Sequence, residues 1–232
     1  TQDMSIFTKS KQKYRRKKLE RLGIIPSKIE TAKLYGDGHG WVIDYSKIVP
    51  ESIIYSVGVG SNVDFDLALI KELNTEVFAF DPTPRSIDWV NQQDLPNKFR
   101  FFPLGLGSAD GEMEFFPPSR ESSTHFSPID RYNNKDVETI KAPVKSLKSI
   151  SQELGHRTID ILKMDIEGAE YDVIDNLEDQ EVEINQILIE FHHMYKGISL
   201  EDTKNAIDKL NNLGFELFHI SDRTYEFSFR KT

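Results

Sequence analysis

The chain of 232 residues contains no cysteine. That excludes disulfides, thiolate metal centres and a cysteine nucleophile, and it fits a reducing compartment, so a cytoplasmic location is expected. No stretch approaches the roughly 18 consecutive apolar residues that a membrane-spanning helix needs. Thr1 to Leu22 has no apolar run followed by a cleavage site, which predicts no secretory leader. Positive charge is also in short supply, with 29 Lys and Arg against 38 Asp and Glu and a formal net charge of -9. A broad nucleic-acid surface needs clustered cations, so nucleic acid is not an expected partner. The exception is local: Lys9, Lys11, Lys13, Arg15, Arg16, Lys17, Lys18 and Arg21 crowd one helix-like stretch. Such a run reads as a solvated, partly frayed terminal helix, with contact to an anionic surface as the alternative.

What is present is a globular composition, 38% hydrophobic with 15 Phe and 8 Tyr, enough for one domain with a substantial core. Residues 1–50 read as an appendage made of the basic helix and a glycine-rich loop, Tyr35-Gly36-Asp37-Gly38-His39-Gly40-Trp41. From 51 to 232 the pattern turns regular. Short β-branched runs at Ser52–Val59, Glu76–Phe80, Phe99–Leu104, Asp160–Asp165 and Gln186–Phe191 alternate with helical spacings at Asp64–Leu73, Ile87–Gln93, Ser146–Leu154, Ala169–Leu177 and Leu200–Leu213. Short β pieces at Glu112–Phe116 and Ala142–Val144 flank a polar segment, Ser119 to Lys135, that reads as a lid or loop. Strand–helix alternation predicts an α/β, Rossmann-like, doubly wound and mostly parallel sheet. The last two strands, Phe215–Ile220 and Tyr225–Arg230, have no helix between them. The final strand therefore enters antiparallel, as in class I methyltransferases.

In such sheets ligands sit beyond the carboxyl ends of the strands. The first strand delivers Ser56-Val57-Gly58-Val59-Gly60-Ser61-Asn62 there, and the second ends in Asp81. Gly58 and Gly60 permit a tight turn and close backbone approach to a ligand. An acid some twenty positions later is placed for ribose hydroxyls. A dinucleotide fingerprint would put a third glycine at position 63, where this chain has Val63. Gly105 and Leu106, at the exit of the third strand, are expected to edge an adenine slot.

The segment Lys163-Met164-Asp165-Ile166-Glu167-Gly168-Ala169-Glu170 puts Lys163, Asp165 and Glu167 on one side of a strand and its extension. Charges on a strand meant for burial are costly unless paired or functional. Ile187-Leu188-Ile189-Glu190-Phe191-His192-His193 repeats the pattern with Glu190 and His192, while His193 points away. If the two strands are neighbours, Asp165, Glu167, Glu190 and His192 converge. Three roles are open to them: holding a cofactor, deprotonating an acceptor hydroxyl through His192, or coordinating a divalent metal ion through Asp165, Glu190 and His192.

The Lys163–Glu170 run, followed by a helix and Ile189-Glu190-Phe191-His192, resembles the FkbM family of S-adenosylmethionine-dependent methyltransferases over residues 52 to 193. The resemblance implies S-adenosylmethionine as cofactor and O-methylation of a hydroxyl on a sugar or natural product, hence a small-molecule or glycan acceptor. It implies that Ser56, Gly58, Gly60, Asp81, Gly105, Leu106, Asp165 and Glu167 bind the cofactor. His192 is expected as base, with Asp165 orienting it or binding a metal. One departure stands out: the family commonly opens its glycine motif with an acid, and this chain has Ser56 there, so Asp64 or Asp66 is expected to substitute. The loops Arg120–His125 and His39–Trp41 are candidates to close over the acceptor. An NAD-dependent oxidoreductase and a non-catalytic binding module are the other function classes left open.

Overall fold

The computed structural model describes the backbone of residues 6–37, 40–120, 123–132 and 137–232, and side chains from Ser10 onward. His39, Glu121, Ser122, Lys135 and the Lys9 side chain, named above, lie outside the described residues. Among the described residues no helix is long and apolar enough to cross a membrane.

The chain runs from helix α1 (Ile6–Arg21) into an antiparallel hairpin, β1 (Ala32–Tyr35) and β2 (Trp41–Asp44). Alternation then follows: β3 (Ile53–Val57), α2 (Asp64–Leu73), β4 (Glu76–Phe80), α3 (Pro84–Asn91) and β5 (Phe99–Phe102). Next come β6 (Gly105–Leu106), β7 (Gly111–Phe115), β8 (Ile140–Lys145), α4 (Leu147–Leu154), β9 (Thr158–Met164), α5 (Glu170–Asp175) and β10 (Glu183–Glu190). The chain ends with α6 (Leu200–Asn212), β11 (Phe215–Ile220) and β12 (Glu226–Lys231).

Seven of these strands form one sheet in the order β11-β12-β10-β9-β3-β4-β5, with β6, β8 and β7 in a small sheet beside it. Pairings from β10 through β5 are parallel, and β12 runs antiparallel to both of its neighbours, as the missing crossover helix requires. The central strands are apolar on both faces because both faces are covered. Along β3 and β4, Ile54, Val77 and Ala79 pack with Phe65 and Leu69 of α2 and Val90 of α3. The alternate residues Tyr55, Val57, Phe78 and Phe80 pack on the other side with Leu147 and Ile150 of α4, Val173 of α5 and Leu210 of α6.

No break in packing falls at residue 50. Leu19 and Ile24 are buried in one core cluster, and Tyr35, Trp41 and Ile43 in the other. The C-terminal half of α1 is tied down as well, since the Arg16 guanidinium donates to the carbonyls of Ile220 and Ser221 at 2.9 and 3.1 Å. Leu19, Ile24, Tyr35, Trp41 and Ile43 thus serve as apolar cover for the sheet. Charge had masked this in a helix with one deeply buried leucine.

Candidate active site

Chain order reverses between β3 and β9. From β3 the chain steps outward to β4 and β5, whereas β9 leads to β10 on the opposite side. A cavity of about 790 Å³ opens at the carboxyl ends of these two strands, where the topology favours a ligand.

One wall is the glycine turn. Gly58 has φ +84°, and a Cβ there would stand 1.8 Å from the carbonyl oxygen of Asp165. This glycine therefore permits close approach of the backbone leaving β9, and it also lines the cavity. Gly60, with φ +56°, is held from the end of β4. Its N–H donates to Asp81 Oδ2 at 2.9 Å, while Asp81 Oδ1 accepts from Thr83 N at 2.9 Å and Thr83 Oγ1 at 2.6 Å. Gly105 and Leu106 line the same cavity. Beneath the turn, Lys163 donates to the Gly58 carbonyl at 3.0 Å and faces the Trp41 ring, its Nζ 5.7 Å from the ring centroid. Ser56 is fully buried there.

The loop after β9, beside this turn, lines the cavity as well. Glu167 takes φ +55° and Gly168 φ +112°, and a Cβ on Gly168 would lie 2.4 Å from Ile129 Cδ1. Glu170, with no exposed surface, pins this loop: its Oε1 accepts from Ile166 N and its Oε2 from Gly168 N, both at 3.0 Å. Oε1 also accepts from His192 Nδ1 at 2.9 Å. His192 sits two residues past β10, and its Nε2 lies 3.8 Å from Asp165 Oδ1 and 3.6 Å from Glu167 Oε2. Burial works against charge on this imidazole, but Glu170, Asp165 and Glu167 outweigh it and raise the pKa to about 10. These carboxylates favour the imidazolium form of His192.

Glu167 is the hub of a second network. Its Oε1 accepts from His125 Nδ1 at 2.6 Å, and its Oε2 accepts from Arg131 at 3.1 Å and from the Tyr195 hydroxyl. Burial would raise this carboxyl, yet the His125 bond, the His192 charge and the Tyr195 bond hold it down at about 2. Desolvation pushes the Asp165 carboxyl up, with Lys163 and His192 pulling it back. Glu190 pairs with Arg223 at 3.1 Å; burial and the charge of Asp165 push its carboxyl up to about 8.

The neighbouring strands β9 and β10 do bring Asp165, Glu167, Glu190 and His192 to one cavity, with two changes of partner. Glu170, and not Asp165, occupies the Nδ1 position that orients His192. The three residues whose ligand atoms lie within 4.8 Å of one another are Asp165, Glu167 and His192; Glu190 is turned to Arg223. A divalent ion there would share Glu167 with its three hydrogen-bond donors. Three carboxylates around His192 favour its charged form, which has no lone pair to serve as base.

Sequence reasoning missed Glu170, Arg131 and Tyr195 as members of the site. For Glu170 a signal existed, an acid inside the Lys163–Glu170 run. Arg131 and Tyr195 are 64 positions apart and meet at 2.7 Å, a contact no local pattern announces. Of the loops expected to close over the cavity, Trp41, Arg120 and the stretch Ser123 to His125 do line it. Arg85 anchors that stretch by donating to the Ser123 carbonyl at 2.7 Å.

Residues 29–217 match the family model described as the methyltransferase FkbM domain. The match begins before residue 52, taking in the hairpin. The probable methyltransferase-like protein 24 of Homo sapiens is 28% identical over 189 residues, 63% of this chain and 52% of that protein. The 2-O-methyltransferase NoeI of Sinorhizobium fredii is 24% identical over 142 residues, 54% of this chain and 57% of that one. The hexuronic acid methyltransferase AglP of Haloferax volcanii is 28% identical over 154 residues, 65% of this chain and 60% of that one. This chain spans about half the length of the curated relatives it matches.

Proposed function

The chain belongs to the FkbM methyltransferase domain family, and from this we propose that it transfers a methyl group from S-adenosylmethionine to a hydroxyl of a sugar-like acceptor. One observation carries the reading. The glycine turn with Asp81 and the Asp165–Glu167–His192 cluster line a single cavity at the sheet's reversal point. The residues present fit the cofactor: the Gly60 turn and the Asp81 carboxylate suit an adenosine ribose, and Gly105 and Leu106 offer a small, apolar edge for the base. When bound, S-adenosylmethionine supplies an electrophilic methyl group on a sulfonium.

The chain's own part is to position the acceptor and exclude water. Asp165 accepts the hydrogen bond of the acceptor hydroxyl and takes its proton as the oxygen attacks. The His192 imidazolium, fixed by Glu170, balances the carboxylates around it. The names of two relatives, a 2-O-methyltransferase and a hexuronic acid methyltransferase, support a sugar-like acceptor. This reading uses no divalent cation, because Asp165 takes the proton directly and His192 balances the charge beside it. Chelator or added Mg²⁺ is expected to leave turnover unchanged.

Calorimetry with S-adenosylmethionine, S-adenosylhomocysteine and NAD tests the proposal. Binding of the two sulfur ligands without NAD is expected. Failure of both to bind would overturn it, and NAD binding alone would favour an oxidoreductase. A screen of neutral and uronic-acid glycans with methyl-labelled cofactor then identifies the acceptor.

A further inference from the structure

Beneath the glycine turn lies an acidic residue that the hydrogen-bond networks described above do not engage. Asp66, the third residue of α2, is 2% exposed and lines the cavity. Its Oδ1 has no hydrogen-bond partner among the described residues, and neither has the hydroxyl of its neighbour Ser56. Burial pushes the Asp66 carboxyl above its ordinary range, with the charge of Lys163 and the adjacent Ser56 hydroxyl opposing. Lys163 nevertheless spends a hydrogen bond on the Gly58 carbonyl. A buried carboxylate oxygen without a donor is unfavourable. One that borders a ligand cavity calls for a donor brought by the ligand.

Resting on the cofactor reading above, we propose that Asp66 receives the α-ammonium group of the methionine tail of S-adenosylmethionine. The geometry suits the division of the cofactor. Asp81 is held at the Gly60 side of the turn, while Asp66 lies under the turn beside Ser56. The tail ammonium is a cation with three donors, matching an acid that has an oxygen to spare. Ser56, where an acid would otherwise open the motif, leaves Asp66 to supply that charge from the first turn of α2. Asp64, the other candidate from the sequence, is exposed and faces away from this need.

The test uses two probes that differ in the tail. S-adenosylhomocysteine carries the amino-acid group; 5′-methylthioadenosine lacks it. By calorimetry, Asp66→Asn is expected to weaken S-adenosylhomocysteine about 10- to 100-fold, the range of a charge-assisted hydrogen bond, and to leave 5′-methylthioadenosine unchanged. The double variant Ser56→Asp/Asp66→Asn is expected to regain part of the loss. Equal loss of both probes, or no loss of either, would overturn the assignment by making Asp66 merely structural. Should Asp66→Asn not fold, the wild-type protein is titrated with α-deaminated S-adenosylhomocysteine; affinity equal to that of the parent would overturn it equally. If the wild type binds neither probe, the cofactor reading itself fails, and that outcome is distinct from either of the others.

Discussion

Glu170→Gln isolates the group that organises the reactive wall. The substitution keeps the volume of a side chain with no exposure but removes a carboxylate that accepts three hydrogen bonds, from Ile166 N, Gly168 N and His192 Nδ1. Glutamine has one acceptor oxygen, so its amide must face at least one N–H. The rise of His192 from 6.5 to about 10, at about 1.4 kcal/mol per pKa unit, amounts to about 5 kcal/mol spread over three carboxylates. The share from Glu170 is about 2 kcal/mol, and the disturbed backbone bonds add about 1–3 kcal/mol. Because the folded pKa of His192 lies above its unfolded value, its stabilisation is complete below pH 6.5 and is lost as pH rises through about 10. The variant should therefore be destabilised by about 3–5 kcal/mol at pH 6.5 and by only about 1–3 kcal/mol at pH 10. Urea unfolding of both proteins at the two pH values measures this. Ring NMR should show His192 titrating at lower pH in the variant. An equal destabilisation at both pH values, with His192 still charged up to pH 10, would refute the argument that Glu170 holds the imidazolium.

Gly58→Ala would put a methyl group 1.8 Å from the Asp165 carbonyl oxygen at φ +84°; denaturant unfolding should show a loss of about 2–4 kcal/mol. Glu167→Gln should destabilise the protein at pH 7, and the difference should shrink as pH falls. Its carboxyl is lowered to about 2, so its stabilisation is complete above about pH 4.5 and is lost on acidification through about pH 2. Asp81→Ala removes the acceptor of Gly60 N and should weaken S-adenosylhomocysteine and 5′-methylthioadenosine alike, by about tenfold or more. That pattern contrasts with the tail-selective loss expected of Asp66→Asn. Selective loss of the tail-bearing probe here would count against Asp81 acting at the ribose.

Local patterns made much of the sheet legible. Near-continuous apolar runs, interrupted by helical spacings, mark β3 through β5 and β9 through β12 because the central strands bury both faces. The absence of a helix between β11 and β12 dictates the antiparallel strand at the end. The charged runs at Lys163–Glu170 and Glu190–His192 mark the rim of the site, since charges at strand ends survive burial only with partners. What stayed hidden was which partner each charge takes. Asp165 and Glu170 compete for the same histidine, and only the turn of the loop after β9, with Glu167 at φ +55°, decides that Glu170 reaches Nδ1.

The absence of cysteine, the scarcity of positive charge and the alternation of strands and helices are properties of composition and near neighbours, and the sequence determines them by itself. The family resemblance rests on such a local run too, because the chemistry at one strand end needs those residues close together. Tertiary structure alone decides that Leu19, Ile24, Tyr35, Trp41 and Ile43 join the core, that Glu190 turns to Arg223, and that Asp66 comes to lie under the glycine turn. Those outcomes depend on which segments the sheet brings side by side, across separations such as the 142 positions between Asp44 and Gln186. They are set by long-range packing and desolvation, which no window of the sequence contains.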